Sequence, residues 1–276
     1  MTIYFCTYFD SRYLQKGNSC YYTLTLQNPD TRLFVVCLDE KVYNIVSKWG
    51  KAIAIRLSDL EKFEPELLKA KTNRSLEGYF GTLSPILPLY IFEKYDYVDL
   101  LFYTDADIAF WSDPAEMIGV IGQKSLMVID HDIEPPRNGI RFNVGILGYR
   151  NDNNCKEFLY WWRDRCLEWC EWMTLSPYKC GDQGYLNVLA DEPNKFKNFL
   201  ISPHPGTFLA PWNLAKHKVT EINREKFVDG KNLICYHYHE FKFLNSNEYF
   251  STGWEHTKSD KRIIYDTYFE VMKKFI

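Results

Sequence analysis

Short apolar runs recur through the first part of the chain, separated by stretches whose apolar positions repeat every three or four residues. Ile3 to Thr7 reads as a strand and Gly17 to Gln27 as a helix. Leu33 to Leu38 is a second strand, Lys41 to Trp49 a helix, and Ala52 to Ile55 a third strand. Leu60 to Tyr95 predicts a helix or two. Pro65 lies near a first-turn position, while Pro85 and Pro88 kink or break the run, because proline lacks the N–H and crowds the preceding turn. Val98 to Thr104 is a fourth strand, apolar at successive rather than alternate positions. Continuous apolar strands alternating with helices suit a sheet covered on both faces, so the order predicts an α/β fold with a mixed, mostly parallel sheet flanked by helices. Further on, Leu126 to Ile129 and Val144 to Tyr149 read as strands flanking a polar loop. Asn153 to Met173 reads as a long helix with Phe158, Trp162, Trp169 and Met173 on one buried face, its tryptophans serving the core. Leu233 to Tyr238 is the last strand and Asp260 to Ile276 a terminal helix.

Composition narrows the class. The 276 residues, 46% of them hydrophobic, suffice for one substantial core, and no linker, low-complexity tract or repeat divides them, so a single domain over 1–276 is expected. A net charge of −3 with scattered Lys and Arg excludes the dense basic stripe that nucleic-acid binding needs. No apolar run approaches the ~20 residues that span a bilayer, and Ile3 to Cys6, soon followed by Asp10 and Arg12, is too short for a signal-peptide core. The eight cysteines form no CxxC pair, which predicts reduced thiols and a cytoplasmic location. Most of the abundant aromatic residues fall on apolar stripes and read as core.

Open α/β sheets bind ligands at the carboxyl ends of their strands. Three such ends carry unusual residues: Thr7-Tyr8-Phe9-Asp10, Thr104-Asp105-Ala106-Asp107 and His237-Tyr238-His239-Glu240. If the backbone stays extended, Asp105 and Asp107 point to one side, where their repulsion calls for a divalent cation such as Mn²⁺ or Mg²⁺. Asp130-His131-Asp132 is a second D-x-D. The first is favoured because it follows a long buried strand and precedes Asp113-Pro114, whereas Glu134-Pro135-Pro136-Arg137 after the second reads as a mobile surface loop. His237 and His239 share a face and either could ligate a metal; Lys242 follows closely and could meet a phosphate. Asp182, after Gly181, has a helix N-cap as its alternative reading.

Together these segments resemble the GT-A-fold nucleotide-sugar transferases. The run Tyr103-Thr104-Asp105-Ala106-Asp107 with Asp113-Pro114 looks like their D-x-D segment, and Phe142-Asn143-Val144-Gly145 and Gly181-Asp182-Gln183-Gly184-Tyr185-Leu186-Asn187 follow in the same order. The pattern is similar to family-8 retaining, glycogenin-like enzymes and to related bacterial proteins, over about residues 3 to 242. The resemblance implies a Rossmann-like sheet with a nucleotide-binding half at 1–107, a donor-sugar and acceptor half at 108–242 and a C-terminal helical extension at 243–276. It implies a metal held by Asp105, Asp107 and His237, with His239 as the alternative. Thr7, Tyr8, Tyr13, Arg74, Thr104, Ala106 and Lys242 would bind the donor, and Asp182, Gln183 and Asn143 would serve catalysis. Trp212 and Asn213, in a segment that looks like the bacterial group alone, fall on the acceptor side. One departure stands out: the family's usual His-Phe-x-Gly has Glu240 at its glycine, and the spacing to Lys242 is short.

The implied activity is metal-dependent transfer from a nucleotide diphosphate sugar, a UDP-sugar by preference, to a saccharide, lipid-linked or protein acceptor. Two rivals stand beside it. One is a catalytically silent sugar- or nucleotide-binding module of the same fold. The other is a sugar-1-phosphate nucleotidyltransferase, which would carry a glycine-rich loop right after the first strand, where this chain has no glycine before Gly17.

Overall fold

The computed structural model describes residues 1–134, 136, 139–172, 176 and 179–275. Its centre is a seven-stranded sheet. In chain order its strands and their close neighbours are β1 (Ile3–Phe9), β2 (Thr31–Cys37), β3 (Ala52–Arg56), β4 (Leu100–Thr104), β5 (Ile108–Phe110), β6 (Leu126–Asp130), β7 (Phe142–Arg150) and β8 (Phe199–Ile201). The sheet order is β3-β2-β1-β4-β7-β6-β8, with β5 outside it. Only β7 runs against its companions, so the sheet is mixed and mostly parallel, as expected.

Each strand feeds both layers, which accounts for the continuous apolar runs. Phe5 and Phe102 face a cluster that includes Leu24, Val42 and Met117, whereas Cys6 and Leu101 face one that includes Leu87, Phe158 and Trp162. On the first face lie α1 (Leu14–Gln27) and α2 (Glu40–Val46). Where a helix or two was expected between Leu60 and Tyr95, the chain forms four short helices: α3 (Leu57–Phe63), α4 (Glu66–Asn73), α5 (Leu76–Thr82) and α6 (Ile86–Lys94). The prolines set two of the breaks. Pro65 and Pro85 occupy the positions just before α4 and α6, and Pro88 falls in the first turn of α6, where its missing N–H costs nothing.

After α7 (Glu116–Ile121), the helix α8 (Asn153–Glu168) is shorter than its pattern suggested. Trp169 turns extended, and Arg74 supplies the end: its guanidinium donates to the carbonyls of Cys166 at 2.7 Å and Leu167 at 2.8 Å. Met173, expected on the same buried face, lies outside the described residues.

The C-terminal third differs more. A short helix α9 (Val188–Asp191) precedes a small sheet of β9 (Val219–Ile222), β10 (Glu225–Val228) and β11 (Lys231–Asn232). The strand expected at Leu233 to Tyr238 is only β12 (Cys235–His237), and it pairs with β5 rather than with the main sheet. Nor is it the last strand. The stretch from 243 opens with a hairpin, β13 (Lys242–Asn245) and β14 (Glu248–Phe250), turned by an Asn245 side chain that accepts from the Asn247 N–H at 2.9 Å. Helical structure begins at Lys258 and continues to Phe275; Ile276 lies outside the described residues. Tyr236, Tyr238, Tyr265 and Tyr268 form the heart of a third core there, the Tyr238 and Tyr268 rings stacking at 3.6 Å. All eight cysteines are buried, and none forms a disulfide.

Trp162 links the core to the functional half of the molecule. It is fully buried on α8 and donates its indole N–H to the Asp182 carbonyl at 2.9 Å. Trp162→Ala should therefore lose both packing and a buried hydrogen bond, lowering unfolding free energy by about 3–5 kcal/mol. Urea unfolding of the purified variant measures this, and a loss below about 1 kcal/mol would contradict the packing described.

Candidate active site

The chain order creates a switch point between β1 and β4. Connections from β1 run outward through β2 to β3, and the chain then returns to add β4 on the other side of β1. Ligands of open α/β sheets sit at such a point, beyond the carboxyl ends of the strands. Here those ends are Phe9-Asp10 and Thr104-Asp105.

The backbone does not stay extended after β4. Ala106 and Asp107 form a turn closed by the Ile108 N–H on the Asp105 carbonyl at 3.2 Å, and the two carboxylates converge through that turn. Strand β5 then pairs antiparallel with β12, placing His237 opposite Ile108, while the Tyr238 N–H donates to the Asp107 carbonyl at 2.8 Å. His237 Nε2 stands 3.1 Å from Asp107 Oδ1 and 3.7 Å from Asp105 Oδ2. One ligand atom from each of the three residues lies within 4.8 Å of the others, and no other such trio occurs among the described residues. His239 is outside the trio and packs edge-on against Trp212.

Local contacts fix this geometry. The Tyr103 hydroxyl donates to Asp105 Oδ1 at 2.7 Å. Gly145 leaves room for the imidazole: a Cβ there would come within 2.6 Å of Asn143 Oδ1 and 2.8 Å of His237 Nδ1. His237 Nδ1 is buried with no protein partner. Burial pushes the Asp107 carboxyl up, but Lys16 and His237 beside it outweigh that and hold it well below the usual range. Asp105 is raised by burial, against the opposing charge of His237. Burial opposes charge on His237, yet Asp107 raises its pKa. Two carboxylates and one imidazole nitrogen at this spacing fit a divalent cation.

The trio borders a cavity of about 690 Å³. Tyr8, Asp10, Arg12 and Tyr13 line one part of it, with Ala106 at the D-x-D turn. Asn143, Asp182, Gln183, Trp212 and His239 line the rest. Asp182 caps the short helical turn that follows it, accepting from the Gln183 N–H at 2.8 Å, and it is almost fully buried beside the cavity. Ser84 donates to its other oxygen and shares a 3.0 Å hydrogen bond with the Tyr8 hydroxyl. Burial, reinforced by the charge of Asp105, pushes the Asp182 carboxyl up to about 6.

Several expected contributors are elsewhere. Thr7 and Thr104 are buried within β1 and β4 and do not line the cavity. Arg74 was expected at the donor phosphates, but its guanidinium is spent on the end of α8 and on Thr82 Oγ1 at 2.9 Å. Lys242 is exposed on β13, its ammonium 5.8 Å from the Phe250 ring, and is likewise absent from the cavity lining. Asn213 is fully buried rather than open to an acceptor. Its side chain accepts from the Ala210 N–H and donates to the His131 and Phe208 carbonyls, bracing the loop that presents Trp212.

Other residues were missed. The second D-x-D holds no metal trio: Asp130 pairs with Arg141 at 2.8 Å, and Asp132 with His217 at 2.9 Å and Lys216 at 3.3 Å. Yet His131 between them lines the cavity, with Nε2 3.3 Å from the Asn143 amide nitrogen, and burial lowers its pKa to about 4. Pro135 and Arg137 of the loop that follows lie outside the described residues. Trp172, assigned to the core, lines the cavity, as does Trp254 from the C-terminal stretch. Tyr103 was legible, because residues two apart on a strand share a side. Nothing local in the sequence marks Trp254.

No protein-family model matches the chain. YfnD of Bacillus subtilis (strain 168), an uncharacterized protein, is 30% identical over 287 aligned residues, which take in 100% of this chain and 90% of YfnD. A crystal structure of the galactosyltransferase LgtC in complex with donor and acceptor sugar analogues superposes with a TM-score of 0.59 over 99% of this chain and 96% of LgtC, at 15% identity. The apo form of the glycosyltransferase GlyE from Streptococcus pneumoniae TIGR4 gives 0.57 over 99% of this chain and 60% of GlyE, at 14% identity. The shared fold is the GT-A type. No helix among the described residues is long and apolar enough to cross a membrane.

Two measurements check the assignments of Arg74 and Asp182. Arg74→Ala should lower stability by about 1–3 kcal/mol through the orphaned carbonyls of α8, read by urea unfolding. Unchanged stability would contradict the structural role that its hydrogen bonds give Arg74. For Asp182, a folded pKa of about 6 exceeds the ~3.9 of an unfolded chain. The folded state thus holds a proton that the unfolded chain gives up; stability is complete below pH ~4 and falls as pH rises through 6. Asp182→Asn, which can keep the cap, should be more stable than the parent by about 2–3 kcal/mol above pH 7 and equal to it near pH 4. Chemical denaturation across that range in a chelating buffer measures the difference. A pH-independent gap would contradict the raised pKa.

Proposed function

The chain belongs to the family of YfnD from Bacillus subtilis, and we propose that it is a metal-dependent glycosyltransferase that moves a sugar from a nucleotide diphosphate donor. The observation that carries this reading is the convergence of Asp105, Asp107 and His237 at the switch-point cavity, with Asp182, Gln183 and Asn143 lining the same space. A UDP-sugar is the favoured donor, the chemistry is of the family-8 type with retention, and the group moved is a hexose.

In this reading Tyr8, Asp10 and Tyr13 receive the nucleoside. A divalent cation held by the trio would offset the negative charge that the diphosphate gains as its bond to the sugar breaks. Tyr103 and Gly145 keep Asp105 and His237 in position through the contacts described above. Asp182 accepts hydroxyl groups of the donor sugar, and its hydrogen bonds to Ser84 and the Gln183 N–H fix the carboxyl for that purpose. Gln183 stands against the anomeric carbon, where its amide stabilises the charge that develops during transfer. Asn143 is oriented by the Gly145 N–H, which donates to its Oδ1 at 2.7 Å, and by His131. Trp212, flanked by His131 and His239, offers an aromatic face to an acceptor saccharide.

The test is a screen of nucleotide sugars for Mn²⁺-dependent release of nucleoside diphosphate, followed by variants on the donor found. Asp107→Ala should abolish turnover and metal-dependent UDP binding, whereas Asp132→Ala should leave UDP binding intact. Gln183→Ala should keep donor affinity but lower kcat and kcat/KM together by roughly 10²- to 10³-fold. Donor binding without any turnover in the parent protein would favour a silent binding module. Near-normal turnover of Gln183→Ala would remove the catalytic role given to that segment.

A further inference from the structure

Diphosphate binding needs positive charge, and the two cations that the sequence suggested for it are placed elsewhere: Arg74 is bound to the carbonyls at the end of α8, and Lys242 is exposed on β13 beside Phe250. Arg12 reaches the cavity but is bound to Asp10 at 2.7 Å and is largely exposed. The cation that the fold delivers to the carboxylates is Lys16. Its Nζ lies 3.2 Å from Asp107 Oδ2 and 4.9 Å from the centre of the Tyr13 ring, with the side chain 18% exposed.

The packing of α1 makes this placement specific. A 3-10 turn, Ser11–Tyr13, capped by the Asp10 side chain, runs directly into α1 and carries Lys16 one turn in from the helical start. The residue after it, Gly17, lets α1 close onto the end of β1: a Cβ there would come within 2.5 Å of the Phe9 ring. The N-terminal part of α1 is thus pressed against the switch point with its lysine over the D-x-D turn.

We propose that Lys16 is an internal counter-ion that exchanges partners: it neutralises Asp107 in the nucleotide-free protein and engages the donor diphosphate once a divalent cation takes the carboxylates. The inference rests on the metal and donor assigned under the proposed function. An ammonium and a dication compete for the same carboxylate, and the dication, with more charge and further ligands in Asp105 and His237, displaces it. The flexible four-carbon stem of lysine then allows the ammonium to stay within reach of the phosphates. Lys16 therefore opposes metal binding when the site is empty of nucleotide and favours nucleotide binding when metal is present.

This double sign gives the test. Lys16→Met keeps the stem and removes the charge. Mn²⁺ affinity of the nucleotide-free variant, read by calorimetry or by the electron paramagnetic resonance of free Mn²⁺, should rise roughly three- to tenfold. UDP affinity at saturating Mn²⁺ should fall roughly tenfold, the scale of one charge-assisted contact. Lys16→Arg should keep UDP affinity near that of the parent. Thermal melts establish that each variant is folded, and Lys16→Gln serves the same comparison if Lys16→Met is not. Unchanged or weaker Mn²⁺ binding in the neutral variants would overturn the counter-ion role, and unchanged UDP binding would overturn the diphosphate contact. If the parent protein binds neither Mn²⁺ nor UDP, the glycosyltransferase reading fails and this inference falls with it; if the parent binds both and the variants match it, only the inference fails.

Discussion

The site depends on the short antiparallel pairing of Ile108–Phe110 with Cys235–His237. These segments are far apart in sequence, and neither belongs to the main sheet. Their pairing brings an imidazole from the C-terminal third against two carboxylates from the N-terminal half, and the Tyr238 N–H to Asp107 carbonyl bond continues the ladder past the strand end. The tyrosine-rich third core backs this joint: Tyr236 and Tyr238 alternate with His237, so the same short strand that buries aromatic rings on one side presents its histidine on the other.

Holding two carboxylates in a buried corner carries an electrostatic penalty, and the surrounding residues show how it is offset. Asp107 has two positively charged or chargeable partners, Lys16 and His237, and is held strongly ionised against burial. Asp105 has the Tyr103 hydroxyl. Asp182 receives hydrogen bonds from Ser84 and the Gln183 N–H, which favour its charged form, but burial outweighs them and raises its affinity for a proton. Three acids in one cavity thus have distinct electrostatic surroundings, the condition under which neighbouring carboxyl groups take different roles.

Much of the parallel half of the sheet was legible in the sequence, because fully covered strands must be apolar at successive positions and β1 to β4 are. The D-x-D and the histidine pair were legible as strand ends, whereas the ion pairs that commit Asp130 and Asp132 to Arg141, Lys216 and His217 were not. What sequence reasoning missed are long-range partnerships. Arg74 has the residue type of a phosphate ligand, yet its guanidinium meets the carbonyl end of α8, a partner 92 residues away that no local pattern announces. Lys242 was placed by its closeness to the histidine pair and by resemblance, and the β13–β14 hairpin carries it off the cavity. Trp254 was missed for the converse reason, since its place at the cavity comes only from where the C-terminal stretch is packed.

The central claim is that Asp105, Asp107 and His237 form a divalent-cation centre at the nucleotide end of the cavity. The most direct measurement is a crystal structure of the protein with MnCl₂ and UDP, with anomalous diffraction collected at the manganese edge. The account predicts an anomalous peak liganded by those three side chains and by diphosphate oxygens of UDP in the cavity between β1 and β4. A manganese peak at Asp130 and Asp132 instead, or bound UDP with no metal between its phosphates and Asp107, would contradict it.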